Sequence, residues 1–340
     1  MTLVDDLWYS RSEGAQVARA MLSPLSALYG IGVSQRARGY EREGAVLTPA
    51  VPAMSIGNVS VGGTGKTTVA AWAAHTLVAR GAHPAIVMRG YGDDEPLVHA
   101  KLNADVPVFV NPDRVEAIAE AAHKGADCAI LDDAFQHRRV ARVADLVLVA
   151  AEQWREDARL LPAGPLREPV TALARATVAI VTRKSATAAA AAEIGERIAR
   201  IAPAVSRAQL HLRASGIVDA HTGAAHGLAE LHGARVVAVA AIGAPEAFFA
   251  QLRAEGARVD ARAFADHHPY SERDIAGLVA FAGGVRAVVC TLKDAVKLAP
   301  RWPRAAAPLW YVSQTVVIES GDAVLDHAFE TVLAARRPGS

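Results

Sequence analysis

Cysteine is scarce in this 340-residue chain: there are two, Cys128 and Cys290. Each sits inside an apolar, strand-like run. Their spacing suits neither a zinc site nor a disulfide framework, so buried, reduced thiols are expected. Charge of either sign is not in excess. Lys plus Arg number 36 against 35 Asp plus Glu, a net charge of +1. That gives no polyanion-binding footprint and argues against a nucleic-acid partner. Long apolar runs are missing as well. The stretch from Ala15 to Val33 is broken by Pro24 and Gly30 and is too short to span a bilayer. Asp5, Asp6 and Glu13 interrupt anything that could serve as a cleavable signal. There is no internal repeat and no long low-complexity linker. With 52% apolar and 21% charged residues, the chain reads as a soluble globular protein long enough for two domains.

What the chain does have is a glycine-rich turn in a telling place. An apolar run, Val51 to Ile56, reads as a buried strand; Gly62, Gly63 and Gly65 follow, then Lys66, Thr67 and a helical pattern from Val69 to Arg80. Strand, glycine loop, Lys-Thr and helix is the layout of a phosphate-binding P-loop. Only glycines let successive backbone N–H groups converge on phosphate oxygens without Cβ clashes, and the helix N-terminus adds partial positive charge. The loop residues Ser60, Val61, Gly62, Gly63, Thr64, Gly65, Lys66 and Thr67 are therefore candidates for binding ATP. Lys66 would reach the β- and γ-phosphates, and the Thr67 hydroxyl would sit on Mg²⁺. The usual first glycine is absent, since position 60 is Ser60. The alternative is a glycine turn before an ordinary helix.

Around this loop, short apolar runs alternate with helical patterns. Strands are expected at Val51–Ile56, Pro84–Met88, Asp127–Leu131, Asp145–Val149 and Thr177–Val181, and an alanine-rich helix from Ser185 to Ile201. Such alternation predicts a parallel sheet with helices on both faces and ligands at the strand carboxyl ends. A strand pair, Ala208–Leu212 and Gly216–Asp219, precedes a second alternation through Val236–Ala241, Val259–Phe264 and Ala287–Thr291, closed by a helix from Asp322 to Ala335 and a frayed Pro338, Gly339 and Ser340. The expected organisation is an N-terminal helical segment (1–45), a core (46–212) and a smaller C-terminal α/β domain (213–340) whose last helix can pack back on the core. The first segment carries apolar residues flanked by Arg11, Arg19, Arg36, Arg38 and Arg42. It suits a helix lying on an anionic membrane surface, or one that simply packs on the core.

Several motifs could carry chemistry. Ala129 to Asp133 is an apolar strand ending in two carboxylates, as in a Walker-B strand that delivers Asp132 or Asp133 to Mg²⁺. Gln136, His137, Arg138 and Arg139 come next and could contact phosphate or substrate, or form a solvated turn. Arg89 leads into the acidic group Asp93, Asp94 and Glu95. A carboxylate there could take the proton of an acceptor hydroxyl, or the group could be an exposed turn. Leu161 to Pro169 is a Pro/Gly loop with Arg167 and Glu168, a pocket wall or a plain connection. Asp266, His267 and His268 suggest a base or orienter more than a metal site, because adjacent residues rarely ligate one ion. Lys293 opens a helix and could meet phosphate or solvent.

Together these pieces resemble the tetraacyldisaccharide 4′-kinase family. The resemblance is carried by Gly57, Asn58 and Val61 to Thr67; Arg89, Gly90 and Tyr91; Asp94, Glu95 and Pro96; Asp132, Asp133, Phe135, Gln136 and His137; Leu161 to Glu168; Asp266 to His268; Lys293 to Ala295; and the region around Pro24 to Ser26, all in the expected order. It implies a P-loop α/β core with a smaller C-terminal α/β domain. It implies Mg²⁺-dependent transfer of the ATP γ-phosphate to the 4′-hydroxyl of a tetraacylated glucosamine disaccharide, on the cytoplasmic face of the inner membrane of a Gram-negative bacterium. An anionic membrane surface and the lipid disaccharide are then the partners, with no obligate protein partner. Asp94 matches the family's catalytic carboxylate, and a histidine of the Asp-His-His stretch matches its partner, His267 in preference to His268. Asp132 and Asp133 match the metal-side acids. Gln136, His137, Arg167 and Glu168 match the lining of the site, with Arg89, Glu95 and His268 as further substrate-side candidates.

The sequence departs from the family pattern at Ala134, where Gly is usual, at Thr68, where Pro commonly stands, and in a shortened stretch before Asp94. The main rival is a deviant-Walker ATPase switch of the partitioning or cofactor-insertion type. Its signature lysine would fall at position 61, which is Val61. A membrane-binding scaffold without turnover is disfavoured by Lys66, Thr67, Asp94 and Asp132 in motif context.

Overall fold

The computed structural model describes residues 3–90, 94–243 and 245–336. Tyr91 and Asp93 of the motifs above, and Pro338 to Ser340, lie outside the described residues. The chain divides into two compact units. The larger holds the described residues within Leu3–Tyr91, His99–Leu212 and Val316–Ser340; the smaller holds those within Gly92–Val98 and Arg213–Thr315.

The larger unit begins with helices α1 (Leu3–Tyr9) and α2 (Glu13–Gly39). Pro24 and Gly30, expected as breaks, both lie inside α2. Pro24 has no N–H for the Ala20 carbonyl, and one residue back the Arg19 carbonyl accepts from Ser23 Oγ (2.9 Å) and Arg159 Nη1 (3.2 Å). Gly30 is there for approach: a Cβ would stand 3.0 Å from Leu160 Cδ1. Ser26 Oγ donates to Leu160 O, and Tyr29 OH to Arg167 O, anchoring α2 on its inner face.

Then comes the alternation: β1 (Ala53–Asn58), α3 (Lys66–Ala79), β2 (Pro84–Met88), α4 (Asp94–Leu102), β3 (Val108–Val110), α5 (Arg114–His123), β4 (Cys128–Asp132), β5 (Ala144–Ala150), β6 (Val178–Arg183), α6 (Ala188–Ile201) and β7 (Ser206–Asp219). The strand order is β7-β6-β5-β1-β4-β2-β3, and each of these neighbours pairs in parallel. Side chains alternate across this sheet. Met54, Ile56, Ile130, Leu146 and Ile180 face α3, while Ala53, Val87, Ala129 and Leu131 face α5, and Val147 and Ala179 face α6. This is the expected P-loop NTPase-like α/β fold. Pairing of Ile56 with Asp132 sets the ends of β1 and β4 side by side, where ligands of such sheets collect.

In the smaller unit β7 continues unbroken, where two strands were expected, and pairs antiparallel with β8 (Ala225–His226). Then follow β9 (Arg235–Ala240), α7 (Pro245–Ala254), β10 (Arg258–Ala263), α8 (Glu272–Phe281), β11 (Ala287–Cys290), α9 (Leu292–Leu298) and β12 (Leu309–Ser320). Strands β10-β9-β11-β12 run parallel. Phe249 and Leu252 of α7 cover one face, and Ile275, Leu278 and Leu298 the other.

The last helix, α10 (Asp322–Ala335), belongs to the larger unit. The expected domain 213–340 therefore ends at Thr315, and segment 1–45 packs on the core without forming a unit of its own. The reason lies in the apolar face of α10: Leu325, Phe329 and Val332 join Val69 and Leu77 of α3, with Phe329 set edge-on to Trp72 at 5.3 Å between centroids. Phe329→Ala is expected to destabilise the protein by about 3–5 kcal/mol. Urea unfolding reads this directly, and a loss below ~1 kcal/mol would contradict the packing.

Candidate functional site

The glycine loop leaves β1 at Asn58 and enters α3 at Lys66. Gly62 (φ 118°) and Gly65 (φ 90°) occupy left-handed backbone, and a Cβ on Gly65 would stand 2.1 Å from Leu212 Cδ1. Gly65 caps α3 without a side-chain bond, and the N-terminus of the helix directly follows the glycine loop. Ser60 is absent from the positive-φ residues and forms an antiparallel bridge with Leu166, which explains why no glycine is needed there. The loop is braced from several sides. Asn58 Nδ2 donates to Thr64 Oγ1 (3.1 Å), Thr182 Oγ1 to Thr64 O (2.9 Å), Lys184 Nζ to Gly63 O (3.0 Å) and Val61 N to Pro165 O (2.8 Å).

Acids and bases gather beside it. Lys66 Nζ is 3.7 Å from Asp133 Oδ1, and Arg167 Nη1 donates to both Asp133 oxygens at 2.8 and 3.0 Å. Burial would raise Asp133, yet Lys66 and Arg167 outweigh it and hold the carboxyl below its ordinary range. The left-handed turn falls on Asp133 itself (φ 50°), so Ala134 needs no glycine. Asp132 is buried; His99 Nε2 lies 2.8 Å from its Oδ2, while its Oδ1 has no hydrogen-bond partner. Thr67 is the second residue of α3 and half-buried. Gln136 Nε2 donates to Asn58 O (2.8 Å). Glu168 is buried against Arg175 (2.8 Å), an ion pair that binds it into the wall. Arg89 is exposed.

The smaller unit holds the second group. Asp94 is 4% exposed; His267 Nδ1 is 3.2 Å from its Oδ1 and Lys297 Nζ 3.7 Å from its Oδ2. Burial would raise the Asp94 carboxyl, but His267, Lys293 and Lys297 together bring it below the usual value. Glu95 pairs with Lys293 at 3.5 Å. His268 is not brought to Asp94. It bonds Asp274 Oδ2 (3.0 Å) beside the capping box of α8 and packs on Phe264 and Tyr270. Asp294, fully buried, holds this corner by accepting from Tyr270 OH (2.8 Å), Thr291 Oγ1 (2.7 Å) and Ala241 N (3.2 Å). Desolvation pushes its carboxyl upward.

The family model for tetraacyldisaccharide-1-P 4′-kinase (LpxK) matches residues 18–94 and 93–334. The chain belongs to this family. Among its relatives, a tetraacyldisaccharide 4′-kinase of Halorhodospira halophila is 40% identical over 87% of this chain and 88% of its own length. One from Anaeromyxobacter sp. (strain Fw109-5) is 36% identical over 91% and 90%. The crystal structure of LpxK from Aquifex aeolicus in complex with ATP shares the fold, with a TM-score of 0.71, 24% identity and coverage of 92% of this chain and 99% of that one.

Three residues of this kinase-family chain escaped the reading of its sequence. Lys297 stands four residues after Lys293 on one face of α9, a spacing that was there to be used. Arg114, buried at the start of α5, adds positive charge near Asp133. His99 sits among apolar residues of α4 and carries no local signal. The residues fit a divalent cation held jointly with phosphates. Thr67 and the unpartnered Asp132 Oδ1 are on hand, and among the described residues no three His, Cys, Asp or Glu converge into an all-protein cage.

His137 is half-buried, and burial together with Arg114, Arg142 and Arg36 pushes it down to about 4. The unfolded chain then binds a proton that the folded chain refuses between about 6.5 and 4. Stability is therefore expected to fall as pH drops through that window, and His137→Gln to flatten the fall. Urea midpoints at pH 7.5 and 5 measure the difference; an unchanged slope in the variant would refute it.

Proposed function

We propose that this chain transfers the γ-phosphate of ATP to the 4′-hydroxyl of a tetraacylated glucosamine disaccharide 1-phosphate. As a member of the tetraacyldisaccharide-1-P 4′-kinase family it is an ATP-dependent phosphotransferase of lipid A biosynthesis. The observation that carries the acceptor half of the reading is the buried Asp94 with His267 against it. An ATPase switch has no use for a carboxylate–imidazole pair, and Val61 stands where its signature lysine belongs.

Each residue has a part. The loop from Ser60 to Gly65 and the open end of α3 grip the phosphates, and Lys66 exchanges Asp133 for the β- and γ-phosphates. Thr67, with Asp132 and Asp133 on its flank, would hold Mg²⁺, which would supply charge neutralisation at the transferring group. Asp94, ionised at neutral pH, accepts the proton of the 4′-hydroxyl, and His267 steadies and shares it. Lys297 keeps Asp94 ionised until then. Arg167 orients Asp133, while Arg89, Glu95, Gln136 and His137 serve the acceptor side. Lys66→Ala is expected to lower kcat about 10²–10³-fold and Asp94→Asn about 10²–10⁴-fold, each with an unchanged circular-dichroism spectrum. Phosphate transfer to the disaccharide lipid measures both; wild-type turnover in either variant sinks the assignment.

The same reading puts the protein on the cytoplasmic face of the inner membrane. Among the described residues no helix is long and apolar enough to cross a bilayer. Helix α2 nevertheless exposes Val17 (59%), Met21 (76%), Leu25 (52%), Leu28 (65%) and Ile31 (54%). Steps of three and four residues place them on one face, and the exposed Arg11, Arg36 and Arg38 lie at headgroup level for a helix resting on an anionic surface. The double variant Met21→Glu/Leu28→Glu is expected to lose co-sedimentation with phosphatidylglycerol vesicles while keeping its kcat on detergent-dispersed acceptor. Undiminished sedimentation removes the membrane claim.

A further inference from the structure

Asp132 differs from its neighbours in what holds it. Asp133 is answered by two full positive charges, Lys66 and Arg167. Asp94 is answered by Lys297 and His267. Asp132 is met by a single histidine from α4, His99, itself 0% exposed, at 2.8 Å from Oδ2. One turn on, Asn103 Nδ2 lies 3.4 Å from His99 Nδ1, and Asn103 is also buried, 1% exposed. With the amide donating to Nδ1, the network assigns the Nε2–H tautomer, and that hydrogen points at Asp132.

A carboxylate at a strand end can rotate about χ2 at little cost. A ring locked by a second hydrogen bond removes that freedom and commits Oδ2 inward. The other oxygen, Oδ1, is buried and without a hydrogen-bond partner. A buried anionic oxygen left in that condition is costly unless a cation or a cation-bound water completes it. A single imidazole N–H positions the carboxylate as a hydrogen-bond donor, whereas the lysine and arginine around Asp133 compete with a metal for its charge.

We propose that His99, backed by Asn103, is a positioning residue for the divalent cation: it pins Asp132 Oδ2 and so presents Oδ1 to the ion or to one of its waters. The inference rests on the reading of Asp132 as a metal-side acid. Partners behind a metal-side ligand commonly account for 10–100-fold in metal affinity or activity, roughly.

The test uses the full chain with His99→Leu, His99→Gln and Asn103→Ala, and Mn²⁺ as a paramagnetic probe in the presence of ATP. His99→Leu is expected to weaken Mn²⁺ binding, read as free Mn²⁺ by electron paramagnetic resonance, about 10–100-fold. The Mg²⁺ concentration for half-maximal transfer rises by a similar factor, and KM for the lipid acceptor stays unchanged. His99→Gln, whose amide can still donate to Oδ2, recovers most of the loss. Asn103→Ala, which keeps the imidazole but frees its ring, moves the same quantities in the same direction by a smaller factor. Unaltered Mn²⁺ affinity and Mg²⁺ response in His99→Leu overturn the inference. So do equal losses in the Leu and Gln variants accompanied by equal drops in Tm, since that pattern belongs to packing. A wild-type protein that binds Mn²⁺ and ATP tightly yet phosphorylates no acceptor overturns the kinase reading instead, because the Mn²⁺ measurement needs no turnover.

Discussion

A carboxylate withdrawn from water is costly unless its charge is answered on the spot. That constraint governs the acids of both units. Asp133 is held by Lys66 and Arg167, Asp94 by Lys297 and His267, and Asp132 by the N–H of His99. The three answers differ in strength. Asp133 is met by two full positive charges. Asp94 is met by a lysine at 3.7 Å and by a histidine. Asp132 is met by a histidine N–H.

Backbone strain falls in the same places. Among the described residues three non-glycine residues adopt left-handed φ: Asp133, His267 and Tyr270. Such conformations persist only where the surroundings over-determine them. Asp133 is clamped by Arg167 through both oxygens. His267 is fastened through its own N–H to Ala241 O as well as through its ring to Asp94. Tyr270 is buried and tied through its hydroxyl to Asp294 and through its carbonyl to Arg301. The strain sits where side chains must be aimed, and buried polar residues farther back sustain it.

Much of this was legible in order and spacing. Glycine positions followed by Lys66 and Thr67 mark the phosphate loop because no other residue type permits that backbone. Strands buried on both faces, such as Pro84–Met88, read as unbroken apolar runs. The helix Asp322–Ala335 declares itself by its period. What stayed hidden was set by tertiary context. Three residues at Val108–Val110 are too few to show a pattern, and β12 carries apolar and polar residues in a mixture that suits neither a buried nor an alternating strand. Pro24 looked like a helix end because a local rule cannot foresee the anchors just beyond it, Ser26 on Leu160 O and Tyr29 on Arg167 O. His99 was invisible because its partner lies thirty-three residues away, on a strand whose neighbours only the topology decides.

The placement of α10 bears on how the chain comes into being. The larger unit's core is closed by a helix that begins at Asp322, more than a hundred residues after the strand that otherwise completes its sheet. During translation, at about 5–20 residues per second, α3 waits roughly 5–25 s with Val69, Trp72 and Leu77 uncovered. The stretch Arg213–Thr315, most of the smaller unit, is made in that interval. A ribosome-bound chain thus keeps this apolar face of α3 uncovered until its last helix is made.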